Sequence, residues 1–248
     1  MQFSFDHTCI AVTHPTRASL LSAVSGRFRR HEGFALATIN LDHLVKLKRV
    51  PAFRTAYAAQ DMVVADGNPI TWLAKLAAKP VELLPGSDLV VPLCRLAAEA
   101  GLPVSMLGAT APALEAASRW LEREVPGYRR GLLIAPPMGF DPEGPAAREA
   151  LSRLDALGPG LCLIALGAPK QERLAALGRS LAPQTGFASV GAGVEFISGD
   201  QRRAPEWVRR VALEWAWRAL ASPRRLLPRY AACFAILPGE VLKAWRQR

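Results

Sequence analysis

From Phe34 onward the chain alternates short apolar runs with segments of helical periodicity. The runs are FALATIN at 34–40, MVVAD at 62–66, VSMLG at 104–108, LLIAP at 132–136, LCLIALG at 161–167 and FASVG at 187–191. Between them, Asp88 to Glu99, Ala111 to Glu124, Gly144 to Leu157 and Gln171 to Leu181 repeat apolar residues at helical spacing. Strands that are apolar on both faces and separated by helices pair in parallel through right-handed crossovers. The pattern therefore predicts an α/β fold, a Rossmann-like parallel sheet with flanking helices. Ligands of such sheets bind where the strands end in loops. The alternation stops near Gly199. Pro205 then suits the first turn of a helix running to about Leu220, and Pro223 and Pro228 are expected to break the pattern before a last amphipathic stretch. The chain thus divides into an α/β domain over 1–198 and a basic helical segment over 199–248.

Composition narrows the class. With 248 residues, 50% hydrophobic and 21% charged, the chain has material for one large core, which excludes disordered and fibrous proteins. The opening MQFSFDHTCIAV carries Asp6 and lacks the basic start and cleavage site of a secretory signal. The uncharged stretch 180–194 is too short and too polar to span a bilayer. Cys9, Cys94, Cys162 and Cys233 lie far apart and read as reduced core residues of a cytoplasmic protein.

Charge is concentrated at one end. Residues 200–248 hold eleven Arg or Lys against four Asp or Glu, most of the chain's net +10. Such a segment points to a polyanion, whether nucleic acid, an anionic bilayer or the phosphates of a small ligand. A solvated helix face reads equally well at this stage.

Candidate chemistry sits behind the strands. The first delivers Thr38, Asn40 and Asp42; the second delivers Asp66, Gly67 and Asn68. An Asp emerging from an apolar strand suits a general base, and Gly67 lets another molecule approach closely. Capping of a helix near Pro69 is the competing role for Asp66. LGAPKQER at 166–173 ends a strand in Gly167, Lys170, Gln171 and Glu172 and looks like a phosphate or nucleotide loop, without P-loop spacing. A second glycine turn, VGAGVEF at 190–196, contains Gly191 and is not a dinucleotide fingerprint. No Asp-x-Asp pair occurs. His7, His14, His31 and His43 form no metal-ligand pattern and read as surface or helix-cap residues.

Eight motifs in order carry a resemblance: TIN with Asp42, ADG at 65–67, PGSD at 85–88, LGAPKQE at 166–172, GAGVEFISG at 191–199, RAPEW at 203–207, LEWAWR at 213–218 and PRRLLPRY at 223–230. Over roughly residues 34–230 the chain resembles the WecG/TagA/CpsF glycosyltransferases. The resemblance implies an inverting, metal-independent enzyme that moves a sugar from a UDP-sugar to a polyprenyl-pyrophosphate-linked sugar in cell-surface polysaccharide assembly. It implies no cofactor beyond the UDP-sugar donor substrate. With a lipid-linked acceptor, the tail is expected to hold the enzyme peripherally on the inner face of the cytoplasmic membrane. Arg224, Arg225, Arg229, Lys243, Arg246 and Arg248 would supply charge, and Leu226, Leu227, Tyr230, Phe234, Ile236, Leu237 and Trp245 apolar contact; packing of those apolar residues on the α/β core is the competing reading. It leaves room for a homo-oligomer and gives no role to nucleic acid.

Residue by residue, the resemblance makes Asp66 the base with Thr38 beside it, and Asn40, Gly67 and Asn68 substrate contacts. Gly167, Lys170, Gln171, Glu172 and Gly191 fall at the nucleotide-sugar site. Arg203, Arg218, Arg225 and Arg229 approach the diphosphate. Three departures stand out: Asn68-Pro69 where many members have a further glycine, Pro228 in place of one of two basic residues, and Arg173 where an aromatic residue is usual. On the residues alone two other classes stay open. One is a non-catalytic protein binding a membrane surface or nucleic acid through its basic tail. The other is a different nucleotide-dependent enzyme on the same kind of sheet.

Overall fold

The computed structural model describes residues 1–201, 204, 205, 208, 214–221 and 223–248, with the side chains of Arg218, Ala221 and Arg225 also outside the description. Strands β1 (Gln2–Phe5) and β2 (Thr8–Ala11) form an antiparallel hairpin, and α1 (Arg17–Arg29) leads into β3 (Phe34–Ile39). Helices α2 (Leu41–Arg49) and α3 (Pro51–Ala58) precede β4 (Met62–Ala65); α4 (Asn68–Leu76) and α5 (Gly86–Glu99) precede β5 (Pro103–Gly108). Then follow α6 (Ala111–Glu124), β6 (Arg129–Ile134), α7 (Pro145–Leu157), β7 (Gly160–Ala165), α8 (Lys170–Leu181), β8 (Thr185–Ser189) and α9 (Gly193–Ser198). Helices α10 (Glu214–Ala221) and α11 (Pro223–Trp245) end the described chain.

The main sheet has the order β4-β3-β8-β7-β5-β6 and is parallel throughout. This is the Rossmann-like sheet that the apolar runs predict. All six residues of β3 are buried because helices cover both faces. Leu36 and Val64 face α1, α5, α6 and α9; Ala37, Ile39, Val63 and Ala65 face α2, α3 and α4, and Phe187 of β8 packs on α7 and α8. Chain order reverses between β3 and β7, with β8 inserted last, so the loops after β3, β4, β7 and β8 converge at one edge.

Two features depart from the sequence reading. The N-terminal hairpin was not expected, although Phe3, Phe5 and Ile10 are its buried alternate positions and join the α2–α4 core. Pro228 does not break the last helix: α11 runs through both Pro228 and Pro238. Each proline removes one backbone hydrogen bond, and tertiary contacts offset the loss. Leu226, Cys233 and Ala244 are buried on one face of α11, and Lys48 Nζ lies 2.8 Å from Glu240 Oε1. At the far end Gln247 Nε2 donates to the Gln2 carbonyl at 2.7 Å, so the chain's two ends meet.

Candidate active site

Pairing of β3 with β4 sets Thr38 beside Val64 and Ile39 beside Ala65, so Asn40 and Asp66 leave the sheet as neighbours. The Asp66 N–H closes the ladder on the Ile39 carbonyl at 2.8 Å. Asn40 Nδ2 donates to Asp66 Oδ2 at 3.2 Å, while Asn40 Oδ1 accepts the His43 N–H at 3.0 Å and caps α2. The half-buried Asp66 carboxylate is thereby oriented from a rigid helix start. The cap position of α4 belongs to Gly67, one residue beyond Asp66, at a φ of +95° that a side chain would strain. Asn68 opens α4, and its carbonyl accepts from Thr71 Oγ1 at 2.9 Å.

Beside β3, the end of β8 supplies the glycine turn. The Gly191 N–H donates to Gln171 Oε1 at 3.1 Å, and Gln171 Nε2 donates to Glu172 Oε1 at 2.9 Å. Gln171 and Glu172, which the resemblance places at the nucleotide sugar, are 3% and 0% exposed and turned inward, in the first turn of α8 where it packs on α3 and β3. They fix the Gly191 turn from behind. The PGSD motif sits opposite: a Cβ on Gly86 would come within 3.0 Å of Val190, so the start of α5 closes onto the same turn.

Gly167, on the loop after β7, and Lys170, the first residue of α8, are exposed. Lys170 Nζ donates to the Phe140 carbonyl at 2.8 Å, and Arg173 pairs with Glu143, so the segment between β6 and α7 is strapped along the start of α8. Arg229 of α11 places its Nε 3.1 Å from Asp42 Oδ1. Arg203 and the side chains of Arg218 and Arg225 lie outside the described residues.

His43 is a correction to the sequence reading: it is neither exposed nor a cap but buried behind the site. Its Nδ1 lies 3.1 Å from the Tyr57 hydroxyl, which donates to the Thr38 carbonyl at 2.8 Å. Nδ1 therefore carries the proton, and Nε2 faces Glu172 Oε1 at 3.9 Å. Burial pushes the imidazole down to about 3 and the Glu172 carboxyl up to about 7, so both are neutral between those two values. Sequence inspection missed Tyr57 and His43. The available signal was that His43 stands one turn before Leu47 on the apolar side of LDHLVKLKR.

Five motifs thus converge on one sheet edge, bringing a carboxylate, two glycine turns and basic groups to it. A model of the Glycosyl transferase WecG/TagA/CpsF family matches residues 6–248. The chain belongs to this family. The match extends the resemblance from the eight motifs to nearly the whole chain, from the turn after β1 onward, and makes the protein a glycosyltransferase. A relative from Bacillus spizizenii, an N-acetylglucosaminyldiphosphoundecaprenol N-acetyl-beta-D-mannosaminyltransferase, is 27% identical over 217 residues, which cover 85% of this chain and 81% of the relative. In this WecG/TagA/CpsF member no three His, Cys, Asp or Glu side chains among the described residues converge as a metal-ligand set. Cys94, Cys162 and Cys233 are buried free thiols, and Cys9 is exposed.

Proposed function

We propose that this glycosyltransferase moves a sugar from a UDP-sugar onto a polyprenyl-pyrophosphate-linked sugar, with inversion and without a metal ion. The observation that carries the reading is Asp66 held by Asn40 at the adjoining ends of β3 and β4. Asp66 takes the proton from the acceptor hydroxyl as that oxygen attacks the anomeric carbon. The bond from that carbon to the diphosphate breaks on the opposite face, and UDP leaves with the electron pair. The charge developing on UDP requires cationic donors, supplied by Arg229, Lys170 and the other arginines of the basic segment. Lys170 then exchanges the Phe140 carbonyl for phosphate. Metal independence rests on the sequence's lack of an Asp-x-Asp pair. The relative's name makes N-acetylmannosamine the first donor sugar to test and a diphosphoundecaprenol-linked N-acetylglucosamine the first acceptor.

A lipid-linked acceptor requires the enzyme to reach a bilayer, and among the described residues no helix is long and apolar enough to cross one. Peripheral binding at the inner face of the cytoplasmic membrane follows as part of the proposal. Its support is α11: along the flank of its buried face it exposes Leu227, Phe234, Val241, Leu242 and Trp245, with Lys243, Arg246 and Arg248 close by. Apolar and basic groups mixed in this way suit an interfacial helix.

The test is transfer from a panel of UDP-sugars to a synthetic polyprenyl-pyrophosphate N-acetylglucosamine acceptor in the presence of EDTA. Release of UDP with a product of inverted anomeric configuration supports the reading. A strict divalent-ion requirement overturns metal independence, and absence of transfer to any lipid-linked acceptor overturns the function.

A further inference from the structure

Asp42 stands two residues after Asn40, in the first turn of α2, and its carboxylate is only 10% exposed. Two cations share it. Lys46 Nζ, one turn along α2, lies 2.7 Å from Oδ2, and Arg229 Nε reaches Oδ1 from α11 at 3.1 Å. The same Lys46 ammonium donates to the Ala168 carbonyl at 3.0 Å, in the loop between β7 and α8. One buried carboxylate therefore joins three segments that are remote in sequence: the start of α2, the loop that carries Gly167, and the C-terminal helix. An exposed Asp–Lys pair one turn apart would have little consequence. Here the carboxylate is withdrawn from water, where a missing partner is costly and geometry is held tightly. Arg229 meets Asp42 as an ion pair, with no hydrogen bond at Nε, and a guanidinium held beside a carboxylate in this way can fork paired N–H groups onto phosphate oxygens.

We infer that Asp42 is a positioning residue that sets Arg229 for the donor's diphosphate. It works through Arg229 and touches no substrate itself. The inference rests on the reading that Arg229 meets the diphosphate of a UDP-sugar. It differs from that reading in assigning the alignment of the tail arginine to a residue of the α/β body.

The experiment is a double-mutant cycle in the full chain, with Asp42→Asn and Arg229→Gln singly and together. The readouts are UDP affinity by calorimetry and the thermal unfolding midpoint. Asp42→Asn is expected to weaken UDP binding about tenfold, and the double variant to bind within about twofold of Arg229→Gln alone. A purely structural role for Asp42 would lower the unfolding midpoint and leave that coupling absent. Wild-type UDP affinity in Asp42→Asn, or additive losses in the double variant, overturns the inference while the transferase reading stands. Wild-type affinity in Arg229→Gln overturns it as well, by removing Arg229 from the diphosphate. Failure of the wild-type protein to bind UDP overturns both. If Asp42→Asn does not fold, the cycle run with Asp42→Glu, which keeps the charge and lengthens the arm, carries the same criterion.

Discussion

Asn40 gives its amide N–H to Asp66 and its amide oxygen to the His43 N–H, at 3.2 and 3.0 Å, so one side chain both starts α2 and aims the carboxylate. The two jobs separate by substitution. Asn40→Ser keeps a cap and loses the contact to Asp66, so stability should stay near wild type while kcat falls about tenfold. Asn40→Ala should lose kcat similarly and about 1 kcal/mol of stability besides. Asn40→Asp should keep the cap yet set a second carboxylate against Asp66, raising the pH at which activity appears. Thermal unfolding and kcat across pH decide these outcomes; equal kcat in Asn40→Ser and wild type would release Asn40 from its orienting role.

The buried Glu172 and His43 should act on stability in opposite directions with pH. Glu172 titrates near 7 when folded against 4.5 ordinarily, so its contribution is complete below about pH 4.5 and is lost as pH rises through 7. His43 titrates near 3 against 6.5, so its contribution is present above pH 6.5 and is lost as pH falls toward 3. Between pH 4.5 and 6.5 the two slopes oppose, each on the order of one kcal/mol per pH unit. The stability of wild type minus that of Glu172→Gln should therefore fall with pH over this range, and that of wild type minus His43→Gln should rise. Urea unfolding at several pH values measures both; parallel curves would contradict the neutral buried pair.

The sheet was legible because six apolar runs separated by helical periods admit few topologies, and each strand lies within a few residues of its run. Of the candidate site, one juxtaposition was legible because its residues follow strands directly: Asn40 and Asp66 are adjacent because β3 and β4 pair in register. What lay behind the site was not legible. His43, Tyr57 and Glu172 meet only after α2, α3 and α8 pack together, and no local spacing encodes that meeting. Pro228 misled for a related reason: proline's local penalty is visible in sequence, whereas the packing of Leu226 and Cys233 that outweighs it is not.

The exposed face of α11 should govern membrane binding. Leu227 and Trp245 are 57% and 58% exposed, so replacing both by Gln should leave the fold intact and weaken co-sedimentation with anionic vesicles about tenfold. Replacing Lys243, Arg246 and Arg248 by Gln should weaken it chiefly at low salt, at about 1 kcal/mol per charge. Vesicle binding unchanged in both variants would show that α11 faces water.

The role of Asp66 as the base is decided by the turnover of Asp66→Asn together with its affinity for UDP. The amide keeps the shape and can still meet Asn40, yet it cannot take the acceptor's proton. Turnover is predicted to fall by about two to four orders of magnitude while UDP binds as in wild type. Turnover within a few-fold of wild type would contradict the assignment.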